Sequence, residues 1–197
     1  MEEIDPRHLL VKIAQILERL GIPYIITGGM AVFVWGRPRY TADIDTVIEL
    51  QTEKTETLAK ELMKLGETGY VSIDAIAQAI RTGGEFNFID GNTGMKVDFW
   101  ISKNDEFSKS QFERRVPQNI LGTAVYFISP EDLILAKLRW NQLTPSSRQL
   151  EDVASIFTIS RDRLNQEYLS KWAKTLGLFE LLSKIEKLSK AKHGRGT

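Results

Sequence analysis

Cysteine is absent from this 197-residue sequence, and histidine occurs only at His8 and His193. These absences exclude disulfides, thiolate chemistry and cysteine-ligated zinc, and they argue against a histidine-rich metal site. Metal chemistry, if there is any, falls to hard oxygen ligands. No apolar run approaches the ~18 residues a membrane-crossing helix needs. The start, MEEIDPRH, is charged where a secretory leader would turn apolar, so a soluble, cytoplasmic chain with no membrane partner is expected. Excess charge of one sign is also missing. Lys plus Arg and Asp plus Glu both total 26, which gives no overall basic bias toward nucleic acid and weakens, without removing, an RNA substrate. There is no internal repeat or low-complexity linker. The length suits one domain or a domain with a small helical extension, and we place a soft boundary near residue 129, dividing 1–128 from 129–197.

What is present concentrates between Tyr24 and Leu50. Tyr24–Thr27 is a short β-branched and aromatic run ending at Gly28 and Gly29, and the following MAVFVW reads as a helix. A glycine pair at a strand-to-helix turn lets an oxyanion approach the backbone, where free N–H groups and the helix dipole favour it. It also serves as an ordinary tight turn. After Gly36-Arg37-Pro38-Arg39 comes Thr41-Ala42-Asp43-Ile44-Asp45 and an apolar strand. Alternation points Asp43 and Asp45 the same way, about 7 Å apart. Two such carboxylates repel unless a cation separates them, and a divalent ion carrying a triphosphate is one solution; a solvated strand start is the other.

Upstream, Asp5-Pro6 opens a helix with Leu9, Leu10, Ile13, Ile16, Leu17 and Leu20 as its apolar stripe and Gly21 as its stop. His8 reads as surface or cap. Downstream, Glu53–Leu65 reads as an amphipathic helix, and Ser72–Arg81 as another with Ile73, Ile76 and Ile80 inward and Asp74 in its first turn. Glu85–Ile89 and Met95–Ile101 form strands joined by Asp90-Gly91-Asn92-Thr93-Gly94, an antiparallel hairpin in which Asp90 suits a turn. Asp98 interrupts the second strand with a charge that needs a partner, and Lys96 or an arginine would supply one. Asp105–Arg115 looks helical and ends in Arg114-Arg115, either solvated or facing a phosphate. Ala124–Ile128 is the last strand expected. Ser129-Pro130-Glu131-Asp132 caps a helix carrying Lys137, with both acids suited to the helix dipole. A polar break then leads to a helix with Arg148 and Asp152 one turn apart. The remainder is two amphipathic helices separated at Gly177, with Lys184, Lys187, Lys190, Lys192 and Arg195 giving the end a local positive bias. That bias suits a solvated face or an RNA backbone.

Gly28-Gly29-x-Ala31, the run Gly36-x-x-Arg39-x-Thr41-x-Asp43-x-Asp45 and a later strand carboxylate resemble the nucleotidyltransferase fold of the DNA polymerase β superfamily. Within it the chain resembles most the minimal bacterial nucleotidyltransferases related to the abortive-infection AbiEii toxins. SPEDLILAKLRW followed by an Arg-x-x-x-Asp helix is similar to their helical part. The glycine pair and the Gly-Arg-Pro-Arg run are also similar to those of tRNA CCA-adding enzymes, but Val32-Phe33 stands where those carry an Arg-Asp pair soon after their glycines.

The resemblance implies an α+β nucleotidyltransferase core over 1–128, with a small mixed or antiparallel sheet flanked by helices, and a helical C-terminal region over 129–197. It implies two Mg2+ ions held by Asp43, Asp45 and Asp98, with Asp98 also suited to take the proton of the nucleophile. It implies nucleotide binding by Gly28, Gly29, Arg39, Thr41, Lys137 and Asp152, Arg148 being a less direct match. The bland alternative for Arg148 and Asp152 is an ordinary helix-surface pair. The implied reaction is transfer of a nucleoside monophosphate from a nucleoside triphosphate to a tRNA 3′ end or a protein hydroxyl, by a toxin working beside an antitoxin protein. A catalytically silent nucleotide- or partner-binding module of the same fold is the alternative.

Overall fold

The computed structural model describes residues 5–193, with side chains through Ser189. The side chains of Lys190, Lys192 and His193, and all of Arg195, lie outside the described residues. By contacts the chain divides into two compact units, Met1–Met30 with Tyr40–Ile128, and Ala31–Arg39 with Ser129–Thr197.

The first unit is built on a seven-stranded mixed sheet. In chain order it holds α1 (Pro6–Arg19), β1 (Tyr24–Ile26), the first turn of α2 (Gly28–Trp35), β2 (Asp43–Ile48), α3 (Thr55–Met63), β3 (Tyr70–Val71), α4 (Ile73–Thr82), β4 (Glu85–Ile89), β5 (Lys96–Ile101), α5 (Glu106–Glu113), β6 (Val116–Ile120) and β7 (Thr123–Phe127). The strand order is β3-β4-β5-β2-β1-β7-β6. β2 and β5 run parallel, as do β1 and β7, and the other neighbours are antiparallel.

Alternation sorts the two faces of this sheet. Ile44, Thr46 and Ile48 of β2, Val97 and Phe99 of β5, and Phe86 and Phe88 of β4 are buried. Leu10, Ile13 and Leu17 of α1, Leu58 and Leu62 of α3, and Ile76 of α4 complete the core. Phe86 and Phe99 are register partners whose rings stack at 4.9 Å. Each of the apolar side chains among them contributes about 1.5 to 3 kcal/mol by leaving water. Their alternates, Asp43, Asp45 and Asp98, share the opposite face of the sheet.

Several expectations are corrected here. Ile73 is 50% exposed, because α4 begins at that residue and only Ile76 and Ala79 fall on its buried stripe. The helix read from Glu53 starts as a 3-10 turn over Thr52–Lys54 and becomes α-helical at Thr55. Two strands, β3 and β6, add to those read from the sequence.

The second unit consists of the rest of α2, the segment to Arg39, and α6 (Pro130–Leu143), α7 (Ser147–Ile159), α8 (Gln166–Thr175) and α9 (Phe179–His193). Ser129 caps α6, its Oγ accepting from the Asp132 N–H at 3.1 Å. Leu133, Ile134, Leu138, Val153, Ile156, Leu169, Leu178 and Leu182 are buried in it. Gly177, at φ +69°, makes the left-handed turn that separates α8 from α9.

Candidate active site

The site in the first unit is assembled on β2 and β5, and register does the work. Asp43 lies opposite Lys96 and Asp45 opposite Asp98, in neighbouring parallel strands. Paired residues in adjacent strands share a face at about 5 Å, and alternate residues along one strand are about 7 Å apart. Three aspartates thus gather on a patch two strands wide. Asn87, an exposed residue of β4 opposite Asp98, lies beside them on the same face. Asn87 was missed because EFNFI signals only a strand, with nothing to show which acid it would face.

The glycine pair packs directly against this patch. Gly28 has φ +59°, and a Cβ there would lie 1.7 Å from Asp45 Oδ2. A Cβ on Gly29 would lie 2.3 Å from Thr41 Oγ1. Any side chain at either position would displace the acid or the threonine, so the glycines set how closely the start of α2 approaches the carboxylates. The Thr27 N–H donates to the Asp45 carbonyl at 2.9 Å, fixing that approach. Thr41 Oγ1 donates to Asp43 Oδ1 at 2.8 Å, holding one carboxylate in place.

Asp98 is engaged. Lys96 Nζ donates to Asp98 Oδ2 at 2.8 Å, the acid side chain being 12% exposed and the lysine 47%. The hydrogen bond from Lys96 to Asp98 comes first in raising the lysine above its ordinary value, burial opposes it, and the charges of Asp98, Asp43 and Glu85 add to the rise. Among the described residues no group of three or more His, Cys, Asp or Glu side chains is arranged to hold a metal ion. The donor set nonetheless fits one. Hard carboxylate oxygens on one face, unmixed with sulfur or imidazole, are what Mg2+ prefers, and Lys96 lies on one of them.

The other predicted residues gather in the second unit. Arg39 makes a fork to Asp152, with Nε to Oδ1 at 3.0 Å and Nη2 to Oδ2 at 2.9 Å. Lys137 Nζ reaches the same Oδ2 at 2.7 Å and Gln149 Oε1 at 3.1 Å. Asp152 and Lys137 are buried. Burial raises the Asp152 carboxyl, and the bonds from Arg39 and Lys137 outweigh it and hold the group below its ordinary value. The helix-surface pair of Arg148 with Asp152 is not what forms: Arg148 is exposed, and Asp152 turns inward. Gly36, in the same unit, has no room for a Cβ because Ser155 Oγ would lie at 2.5 Å. That hydroxyl accepts from the Arg37 N–H at 3.1 Å. The segment 36–39 is thereby tied to α7.

Glu131 and Asp132, read as dipole partners of α6, are buried and do more. Glu131 Oε1 accepts from the Asn165 N–H at 2.6 Å, and Asp132 Oδ1 accepts from the Tyr168 hydroxyl at 2.7 Å. Asp90 keeps its turn role, Oδ2 accepting from the Thr93 N–H at 3.0 Å and the Thr93 hydroxyl at 2.6 Å. Arg115 lies 4.7 Å from the centre of the Tyr126 ring.

Solved structures share this architecture. ANT(2'')-Ia, described as an antibiotic-resistance factor, aligns with a TM-score of 0.59 and 18% identity over 96% of this chain and 97% of its own. A nucleotidyltransferase-like protein from Paracoccidioides brasiliensis aligns with a TM-score of 0.53 and 22% identity over 92% and 91%. The lincosamide antibiotic adenylyltransferase LnuA aligns with a TM-score of 0.53 and 13% identity over 79% and 98%. No curated protein sequence matches the chain significantly. The fold is therefore the nucleotidyltransferase fold, α+β as expected. Residues 15–190 match the family described as nucleotidyl transferase AbiEii toxin, type IV TA system. The chain belongs to that family and is a nucleotidyltransferase. Among the described residues no helix is long and apolar enough to cross a membrane.

Proposed function

We propose that this enzyme transfers a nucleoside monophosphate from a nucleoside triphosphate to a tRNA 3′ end or a protein hydroxyl, using Mg2+, as the toxin of a pair with an antitoxin protein. One observation carries the reading: Asp43, Asp45 and Asp98 share one face of the β2–β5 pair, with Gly28 packed against Asp45. Asp43, Asp45 and Asp98 are the residues that would hold Mg2+. When bound, the metal neutralises the charge of the triphosphate and lowers the pKa of an attacking hydroxyl.

The chain's own groups do the rest. Gly28 leaves room for the Asp45 carboxylate and Gly29 for the Thr41 hydroxyl, and we assign the backbone N–H groups at the start of α2 to the phosphates. Thr41 keeps Asp43 oriented by donating to its Oδ1. Asp98, once released by Lys96, accepts the proton of the acceptor hydroxyl as its oxygen attacks the α-phosphorus and pyrophosphate leaves. Arg39, Lys137 and Asp152 we assign to the nucleotide on the strength of the family resemblance. Within their unit they also form a satisfied cluster, so their removal should affect stability as well as binding.

The Lys96–Asp98 bond favours a second reading, a silent binding module in which the lysine permanently takes the third carboxylate. Incubation of the chain with Mg2+, each α-labelled nucleoside triphosphate and either total RNA or purified protein separates the two. Label transfer by wild type that disappears in Asp45→Ala is expected. Absence of both transfer and Mg2+-dependent nucleotide binding would leave the silent module.

A further inference from the structure

Lys96 borders the acidic patch at the start of β5. It lies opposite Asp43 in the register, two residues before Asp98, with its ammonium on Asp98 Oδ2. Glu85 adds a third negative charge to its surroundings. We propose that Lys96 is a displaceable internal cation: it occupies the third carboxylate while the site is empty, yields it to the arriving metal, and then contacts the polyphosphate. The inference rests on the transfer reading above and assigns that site a further phosphate-contacting residue.

Three carboxylates spaced about 5 to 7 Å apart repel one another, and the folded chain must offset that repulsion before any ligand arrives. An ammonium on Asp98 and beside Asp43 does so. Its form suits exchange. Lysine is a single charge on a flexible stem and imposes no fork, and this one is 47% exposed, so it leaves the acid with little desolvation to reverse. The cluster around Asp152 shows the opposite construction. There an arginine fork and a lysine side chain only 6% exposed are suited to stay where they are.

Competition follows directly. Lys96 and a metal ion need the same Oδ2, so bare metal should bind more weakly than the three acids alone would bind it. Metal arriving with a triphosphate meets a smaller cost, because the released ammonium finds phosphate oxygens in place of the carboxylate. Metal and polyphosphate should therefore favour each other's binding, and the coupling should pass through Lys96.

The test measures Mn2+ binding to the full chain by electron paramagnetic resonance, with and without inorganic tripolyphosphate, in wild type, Lys96→Met and Lys96→Arg. Tripolyphosphate reads the phosphate contact without a base. Lys96→Met should bind bare Mn2+ about five- to tenfold tighter, since a competing ion pair is gone. It should bind Mn2+-tripolyphosphate about five- to tenfold more weakly than wild type, since a phosphate contact is gone. Lys96→Arg should keep the weaker bare-metal affinity of wild type. A purely structural role would weaken both affinities together or neither, and either outcome overturns the proposal. Circular dichroism checks that the variants fold, with Lys96→Gln substituting for Lys96→Met if that variant does not. Wild-type chain that binds no Mn2+ even with tripolyphosphate, indistinguishable from Asp45→Ala, would instead defeat the transfer reading itself.

Discussion

At the scale of single residues, the glycines show most plainly how the sequence constrains the site. Gly28 and Gly83 both adopt left-handed backbone, at φ +59° and +64°, but only Gly28 has an atom in the way. Gly83→Ala should cost about 1 kcal/mol, the backbone term alone. Gly28→Ala adds a collision with Asp45 and should cost about 2 to 4 kcal/mol and at least about tenfold in transfer. Thermal melts with the label assay check both. Asp152 supplies a pH prediction. Its carboxyl is held below the ordinary value, so its contribution to stability is complete above the unfolded pKa of about 4 and is lost as pH falls through the lower folded value. Wild type should lose stability on acidification from about pH 5 toward pH 2, and Asp152→Asn should lose less over that window. At neutral pH that variant should be less stable by about 2 to 4 kcal/mol, because Lys137 stays buried without its carboxylate. Urea melts across pH read both effects. The Asp-x-Asp pair was legible because alternation alone puts both acids on one face. The partners of Asp152 were not, because Arg39 lies far along the chain and the nearer Arg148 offered a ready local pair.

At the scale of elements, the strong periodic segments were readable. The α1 stripe, the hairpin of β4 and β5 and the cap of α6 all follow from local patterns that tertiary contacts reinforce. β6 was not readable. VPQNI carries a proline and two polar residues, and it joins β7 through Leu121-Gly122 instead of an asparagine-glycine pair. Leu121 has φ +49° and is 48% exposed, so this hairpin keeps an apolar residue in left-handed backbone at a turn. Leu121→Asn should therefore stabilise the chain by about 1 kcal/mol, seen as a higher Tm with transfer unchanged. An unchanged or lower Tm would mean that the leucine packs in a way that exposure does not reveal.

At the scale of the whole molecule, the nucleotidyltransferase fold and the family were visible in a few motifs, because glycine turn, acidic strand and capped helix occur in a fixed order. The membership of Ala31–Arg39 in the second unit was not. That segment lies between the two motifs in sequence, and what assigns it is the seat of Gly36 and Arg37 on Ser155 together with the Arg39 fork to Asp152. None of these partners can be inferred from local pattern. We propose that Asp43, Asp45 and Asp98 form one metal site once Lys96 moves. Anomalous diffraction from crystals of the chain soaked with Mn2+ and a nonhydrolysable nucleoside triphosphate tests it most directly. The expected result is manganese bound by all three aspartates, with Lys96 turned toward the phosphates. Manganese elsewhere, or none, with Lys96 still on Asp98, would contradict it.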